Sequence, residues 1–472
     1  MQPEGVTTPT ASFDSLPFEI ISKIFLDGTQ NWRDFEPQVL PFPTIVSGVC
    51  THWRNVSYGI PQLWTFILPP LHKELDECLE WTTKWLERSG TMLVSVVLDD
   101  MTVTAELKGP IASAAERKIS KTLALLSKHP RRLRRLDIRS ASHGAFKKFM
   151  RDLWEAPNLE QLSLCPRTYV GLGYFFSPNE EHLKWSVLSR LSNLKKFRFQ
   201  NISPPCIPSL TSLTAHDIVL KYEGIKTLFA GCPSLAHLVL HDLRPITARQ
   251  EPAHYTPLSC PSLRSIAVKV NQWYLDEPDY FYVFSFLHLP NLVSLEIQND
   301  LPNIDNFFGS SLVPATIKKL RLSSMIQFGD SLTFFRSLSN LEELEMFEVP
   351  AWKLYPLDQD LSDDALVLSS TTMWPHLRSI TLKTYDLKTM LSTFEFIEKR
   401  SGPSHLHLHL SRSAMWLLAE GDEASDDHDR FLEKFGNDGG KKWLEKLVQV
   451  RLMKYPSYGL LDGERVPMAE ML

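Results

Sequence analysis

Ten short phrases of one pattern constrain this chain more than anything else in it. Each is an apolar residue, two variable ones, a second apolar residue, one variable, and a third apolar residue. "PNLEQLSL" carries Leu159, Leu162 and Leu164; "CPSLAHLVL" carries Leu235, Leu238 and Leu240; "LPNLVSLEI" carries Leu292, Leu295 and Ile297. The first apolar positions are 133, 159, 194, 210, 235, 263, 292, 317, 341 and 377. Most intervals therefore lie between 24 and 29 residues, with outliers of 16, 35 and 36. Alternation at the second and third positions predicts a short strand whose alternate residues point inward. Proline stands two residues before the first apolar position at Pro157, Pro208, Pro233, Pro261, Pro290 and Pro375. There it ends the preceding helix and drives its neighbour toward extended geometry. Between the phrases, "EHLKWSVLSRLSN" and "YEGIKTLFAG" read as helices, the latter closed by Gly231. Strand and helix alternating at this pace predict a parallel sheet.

Self-similarity at such a period is the signature of a leucine-rich-repeat solenoid, whose units cannot bury their apolar faces alone. The asparagine that this family usually carries three residues past the third apolar position is irregular here. The repeats thus resemble the family in degenerate form, with an irregular curve. A doubly wound α/β sheet also alternates strand and helix, but its strands read as longer apolar runs. The predicted fold class is α/β, with an all-α N-terminal segment before a degenerate solenoid of parallel strands and outer helices. The solenoid is expected at 91–455, followed by a tail at 456–472.

The first ninety residues are organised differently. "MQPEGVTTPTASFDS" has neither the basic start nor the apolar core of a signal peptide, so residues 1–14 read as a flexible tail. "LPFEIISKIF" (16–25) reads as one short helix, with Pro17 at its first position and Glu19 in its first turn. Leu16, Ile20, Ile21, Ile24 and Phe25 fall on one face, and "DGTQNWRDFEPQ" breaks the pattern. A second helix is predicted from Pro43 to Gly59, with Ile45, Val46, Val49, Cys50, Trp53 and Val56 on one face. "PQLW" adds Leu63 and Trp64. About fifty residues thus carry more apolar surface than so small a cluster covers by itself. The plainer reading is an internal core, with these helices capping the neighbouring repeats. Residues 71–90 give an amphipathic helix with Leu75, Cys78, Leu79, Thr82 and Leu86 on one face, and "TMLVSVVLDD" comes next as a strand.

"LPFEIISKIF", "VCTHWR" and "PQLW", in this order within 49 residues, resemble the F-box. The helix ending "LERSG" and the strand after it make the layout similar to that of many fungal F-box proteins. The resemblance implies an F-box over 15–65, a linker helix over 66–90, and docking on the Skp adaptor of a Skp–cullin–F-box ubiquitin ligase. Carried over by position, the docking residues would be Leu16, Pro17, Ile20, Ile24, Val49, Cys50 and Trp53. The long acidic and aromatic link "DGTQNWRDFEPQVL" departs from the family pattern. The resemblance further implies a non-catalytic substrate adaptor, reaching a cullin through the Skp protein and holding a protein substrate on its repeats. A non-ligase repeat scaffold and, less favoured, an α/β hydrolase are the alternatives.

If the inward residues fill the core, the residues between and just after them face the concave surface. That set includes Asp137, Arg139, Arg198, Gln200, His216, His241, Lys269, Glu296, Gln298, Arg321, Glu345, Phe347 and Lys383. Arg132, Arg135 and Arg139 belong to the basic run "KHPRRLRRLDIR", where arginines would suit a phosphorylated peptide. With Arg198, His216, His241 and Lys269 they are the candidate substrate-binding residues; a solvated basic face is the commoner fate of such runs. "EGDEASDDHD" (420–429) reads as an acidic loop without EF-hand spacing. His405, His407 and His409 of "HLHLHL" share a strand face about 6.5 Å apart, too few ligands for a metal without a third group. No phosphate loop, H-E-x-x-H, C-x-x-C or G-x-S-x-G is present. No catalytic residue, metal or cofactor is therefore expected.

A net charge of −5 gives no bulk attraction to nucleic acid or to an anionic membrane. The six cysteines, Cys50, Cys78, Cys165, Cys206, Cys232 and Cys260, are too scattered for a disulfide framework. A reduced, intracellular protein of the cytoplasm or nucleus, or both, is expected. No apolar run approaches the roughly 18 residues of a membrane span.

Overall fold

The computed structural model describes residues 16–32, 41–99, 110–140, 149, 155–166, 188, 190–200, 206–216, 222–243, 246–247, 256–270, 280–281, 284, 287–298, 315–323, 332–347, 374–383, 390, 393, 396–397, 406–410 and 449–452. The predicted tails, the acidic loop 420–429, His405 and most of "EHLKWSVLSRLSN" lie outside them. The chain forms two compact units, Met1–Leu194 with Arg465–Leu472, and Lys195–Glu464. Among the described residues no helix is long and apolar enough to cross a membrane.

In the first unit, α1 (Phe18–Trp32) is longer than predicted and continues through Asp27 and Gly28. Thr29 Oγ1 donates to the Phe25 carbonyl at 2.8 Å, and the Phe42 ring lies so close to Gly28 that a Cβ there would overlap it. The predicted apolar face of this helix is divided. Ile21 and Phe25 are buried, whereas Ile20 and Ile24 are turned outward. Consecutive residues differ by about 100° around a helix, so the pairs 20/24 and 21/25 form adjacent stripes.

The single helix expected from Pro43 to Gly59 is instead two, α2 (Phe42–Val49) and α3 (Thr51–Tyr58). Cys50 interrupts them in an extended conformation (φ −154°, ψ 172°), and its Sγ accepts the Trp53 N–H at 3.4 Å. Phe25 packs edge-on against Trp53 (5.2 Å) and Phe42 (6.4 Å). A 3-10 turn, Pro61–Trp64, comes next, and Trp64 Nε1 donates to the Ser57 carbonyl at 2.9 Å. Trp64 meets Trp85 of α4 (Leu75–Arg88) at 5.0 Å, and the Arg88 guanidinium covers the Tyr58 and Trp64 rings at 4.3 and 4.4 Å. Cys78, Thr82, Trp85 and Leu86 of α4 are buried, and Leu75 and Leu79 are half-buried.

Strands β1 (Phe66–Ile67), β2 (Val94–Asp99), β3 (Leu133–Ser140) and β4 (Gln161–Pro166) pair in parallel in chain order. Helix α5 (Pro110–Leu126) lies between β2 and β3 in the chain. The ladder thus opens at Phe66, within the segment read as a linker, rather than at the strand after residue 90.

The second unit contains β5 (Lys196–Gln200), β6 (Ser212–His216), β7 (His237–Leu243), β8 (Ile246–Thr247), β9 (Leu258–Ser259), β10 (Ser265–Val270), β11 (Tyr280–Phe281), β12 (Leu287–His288), β13 (Ser294–Gln298), β14 (Lys319–Ser323), β15 (Glu343–Phe347), β16 (Ser379–Lys383), β17 (His407–Leu410) and β18 (Gln449–Leu452). Its main ladder is parallel throughout, in the order β5-β6-β7-β10-β13-β14-β15-β16-β17-β18. The short β8 pairs antiparallel with β11, and β9 pairs parallel with β12. Each of the ten phrases contains a ladder strand. A doubly wound sheet needs a reversal of strand order, and neither ladder has one. The fold is mixed α/β with sequential parallel ladders, as in solenoid-like proteins. Tyr222–Gly231 and Leu332–Ser337 are the continuous helices of three or more residues among the described residues of this unit.

Matching positions of the phrase stack on one another. Leu213, Leu238, Ile266, Leu295, Leu320, Leu344, Ile380 and Leu408 form one line across the strands, and each is buried. A turn leading into the strands recurs as well: the first apolar N–H donates to the carbonyl three residues back at Leu210, Leu235, Leu263, Leu292, Leu341 and Leu377, at 3.0–3.3 Å. In five of these turns proline stands second and supplies the φ the turn needs, with Ser339 in its place before Leu341. Asn158, Asn193, Asn291 and Asn340, each just before a first apolar residue, donate through Nδ2 to the preceding repeat, at the carbonyls of Arg131, Pro157, Pro261 and Ala315.

Helix propensity alone would make Gly28→Ala stabilising by about 1 kcal/mol. Overlap with the Phe42 ring reverses the sign, and we expect a loss of about 1–3 kcal/mol, measured as a lower urea midpoint of the full chain.

Candidate partner-docking site

Eight large hydrophobic side chains are exposed among the described residues, and all lie between Phe18 and Leu93. Five are on α1 and α2: Phe18 (47%), Ile20 (47%), Ile24 (41%), Ile45 (43%) and Val49 (57%). The other three are Tyr58, Met92 and Leu93. The exposure is a consequence of the inner packing. Phe25, Ile21, Val46 and Val56 occupy the interior of the three helices, and the neighbouring stripes of α1 and α2 are left facing outward. Full burial of one such side chain contributes roughly 1.5–3 kcal/mol. Five side chains left partly in water are a large driving force for association.

Of the seven residues predicted to dock a partner, Pro17, Ile20, Ile24 and Val49 are exposed. Leu16, Cys50 and Trp53 are half-buried. Cys50 caps α3 and Trp53 supports Phe25, so both also hold the helices in place. Phe18 and Ile45 are missing from the predicted set. The i, i+4 step from Ile45 to Val49 is the sequence signal by which Ile45 could have been recovered.

The residues predicted to face a cargo are placed differently. Asp137, His216, His241, Glu296, Arg321 and Glu345 are each no more than 6% exposed. Neighbouring strands lie about 4.8 Å apart, so long side chains in register satisfy and cover one another. Arg321 reaches Glu345 Oε2 at 3.1 Å and Glu296 Oε1 at 3.6 Å, and its guanidinium lies 4.1 Å from the Phe347 ring. Lys319 adds a 2.7 Å contact to Glu345.

The basic run of the first unit is divided among three tasks. Arg132 donates to the Leu86 carbonyl (3.0 Å), Ser89 Oγ (2.6 Å) and the Met92 carbonyl (3.3 Å), binding the end of α4. Arg135, buried, and Arg139, half-buried, both pair with Asp137, at 3.5 and 2.9 Å, and Arg139 also approaches Asp99 at 3.8 Å. Burial would raise the Asp137 carboxyl; the Arg139 and Arg135 charges outweigh it and hold the group below its usual range. Arg134 turns to Glu160 at 3.3 Å. These arginines are committed to carboxylates and carbonyls of the chain, not gathered as one phosphate cradle.

In the second unit, Arg198 Nε donates to His216 Nε2 at 3.0 Å, and the His216 and His241 rings stack at 4.1 Å with 3° between planes. Burial, the His241 ring, Arg198 and Lys269 hold the His216 imidazole well below its ordinary value. Burial, Arg198 and Lys269 push His241 down to about 3. Both rings are therefore neutral near pH 7. Arg198 and Lys269 remain half-buried. His407 and His409 lie 6.5 Å apart, and no group of three or more His, Cys, Asp or Glu among the described residues could hold a metal.

Compared with known families, the chain matches no family model, and no curated protein matches it.

The stacked imidazoles predict a pH dependence. Both bind protons less readily folded than unfolded, so the unfolded state takes up more protons as pH falls below about 6.5 and stability declines. Each histidine contributes up to roughly 1.4 kcal/mol per pH unit. Urea midpoints at pH 7 and pH 5 should differ, and His216→Asn/His241→Asn should narrow the difference.

Proposed function

We propose that this protein is a substrate adaptor of a Skp–cullin–F-box ubiquitin ligase. Its N-terminal helices act as an F-box that docks on a Skp-type protein, and its leucine-rich repeats hold a protein substrate. The observation that carries the reading is the segregation of exposed apolar side chains. Among the described residues they are concentrated on α1 and α2, the segment whose sequence resembles the F-box, while the large apolar side chains of the ladder strands are buried. Catalysis in this scheme is proximity: a held substrate gains effective concentration at a conjugating enzyme brought by other subunits. The chain itself supplies no reacting group.

A phosphorylated cargo at Arg132, Arg135 and Arg139 is disfavoured, because those guanidiniums already hold Asp137, Asp99 and the end of α4. Arg198 and Lys269, half-buried in the second unit, are better placed to meet a cargo.

The test is association of the purified full chain with a Skp-type adaptor, followed by cullin. Ile20→Asp/Val49→Asp removes two exposed contacts without touching Phe25 or Trp53. The proposal expects roughly a 100-fold or greater loss of adaptor affinity with an unchanged urea midpoint. Equal binding by the variant would place the docking face elsewhere. A wild-type chain that binds no Skp-type adaptor would overturn the ligase reading and leave a repeat scaffold.

A further inference from the structure

Cys206 and Cys232 are close in space, although 25 residues separate them in sequence. Cys206 immediately precedes the turn that leads into β6; Cys232 is the first residue of the equivalent turn into β7, directly after the helix Tyr222–Gly231. The repeat stack lays these two turns side by side. Ile207, next to Cys206, donates its N–H to Cys232 Sγ at 3.4 Å. Gly231, next to Cys232, lies so close to Cys206 that a Cβ there would overlap Cys206 Sγ, Cβ and Cα. Each cysteine is thus touched by the other's chain neighbour. Disulfides span Cα separations of about 4.4–6.8 Å, which requires closeness of this kind.

The two thiols differ in access. Cys206 is exposed and its Sγ lies 3.9 Å from the Thr227 carbonyl; Cys232 is fully buried. Burial, with a further contribution from the neighbouring Cys206, raises the Cys232 thiol above its ordinary value. Cys260 occupies the matching buried place in the next repeat, and burial pushes it up to about 12. An accessible sulfur beside a buried one is the arrangement of an attacking thiol and a resolving thiol.

We infer that Cys206 and Cys232 form a reversible disulfide when the protein meets a small-molecule disulfide such as oxidised glutathione. The Cys206 thiolate attacks one sulfur of the glutathione disulfide, forming a mixed disulfide and expelling one glutathione thiolate. Cys232 then attacks Cys206 Sγ, its proton passing to the second glutathione thiolate as that group is expelled. Two protein thiols are oxidised and one glutathione disulfide is reduced to two thiols. The bond ties the turn before β6 to the end of the Tyr222–Gly231 helix, joining two successive repeats by a covalent link. It needs no disulfide framework, and reduction by thiol reverses it.

The folded full chain, incubated with oxidised glutathione, alkylated and digested with trypsin, tests this directly. Lys221 and Lys226 lie between the two cysteines, so the two sulfurs leave on separate peptides unless they are joined. The expected product is the Cys206 peptide linked to the Cys232 peptide. In Cys232→Ala, Cys206 should instead retain its glutathione adduct, and in Cys206→Ser, Cys232 should remain unmodified. Circular dichroism of both variants confirms that they are folded. A wild-type chain that keeps glutathione on Cys206 with Cys232 reduced, or whose Cys206 does not react, would overturn the inference. So would linkage that forms only after unfolding in urea.

Discussion

A strand of the second unit buries its apolar residues only while its neighbours hold the same register. A slip by one residue would turn the second and third apolar positions from the covered face to the other. The line Leu213, Leu238, Ile266, Leu295, Leu320, Leu344, Ile380 and Leu408 is the visible result. Two local devices recur where strands start. The proline turn with its three-residue bond sets the chain direction, and the asparagine amides tie a turn to the repeat before it. Stability in such a ladder comes from nearest neighbours, because no repeat has a core of its own.

The same stacking governs the polar side of the strands. Side chains brought about 4.8 Å apart neutralise each other before any ligand arrives. Glu296, Arg321 and Glu345 form a buried alternating row, and His216 and His241 stack as neutral rings. Buried charge rows of this sort add little net stability over apolar packing, but breaking one partner leaves an unpaired charge and is costly. They favour correct pairing of neighbouring strands. The half-buried positions Arg198, Lys269, Gln298 and Lys383 retain contact with solvent.

Much of this was legible in the sequence, for a physical reason. A repeat that stacks must reuse the same buried positions, so the spacing of Leu, Val and Ile records the strands directly. The turns before the strands were half legible: their prolines stood out, but the buried residue at the turn's first position did not. Ala156, Leu191, Ile207, Cys232, Cys260, Leu289, Leu338 and Trp374 fill that column, with volumes from Ala to Trp too different for one letter to mark it. The asparagine ladder was missed because it precedes the phrase instead of coming after it. Helix phase was legible only coarsely. Ile20 and Ile21 are both apolar, and only the packing of Phe25 on Phe42 and Trp53 decides which faces inward. The break at Cys50 depends on its sulfur capping α3, which periodicity does not register. Pairings such as Arg321 with Glu345 depend on which repeats neighbour each other, information held in the ladder and not in any single phrase.

The ladders satisfy themselves, and the helices at the amino end do not. Their inner stripe is sealed by Phe25, Val46 and Val56, while Ile20, Ile24, Ile45 and Val49 meet water. That imbalance is the basis for reading α1 and α2 as a surface another protein completes. Hydrogen–deuterium exchange of the full chain with and without a purified Skp-type adaptor tests it most directly. The account predicts slowed exchange across residues 18–24 and 45–49 on adding the adaptor, with the ladder strands unchanged. Protection absent from those two segments, or confined to the repeats, would contradict it.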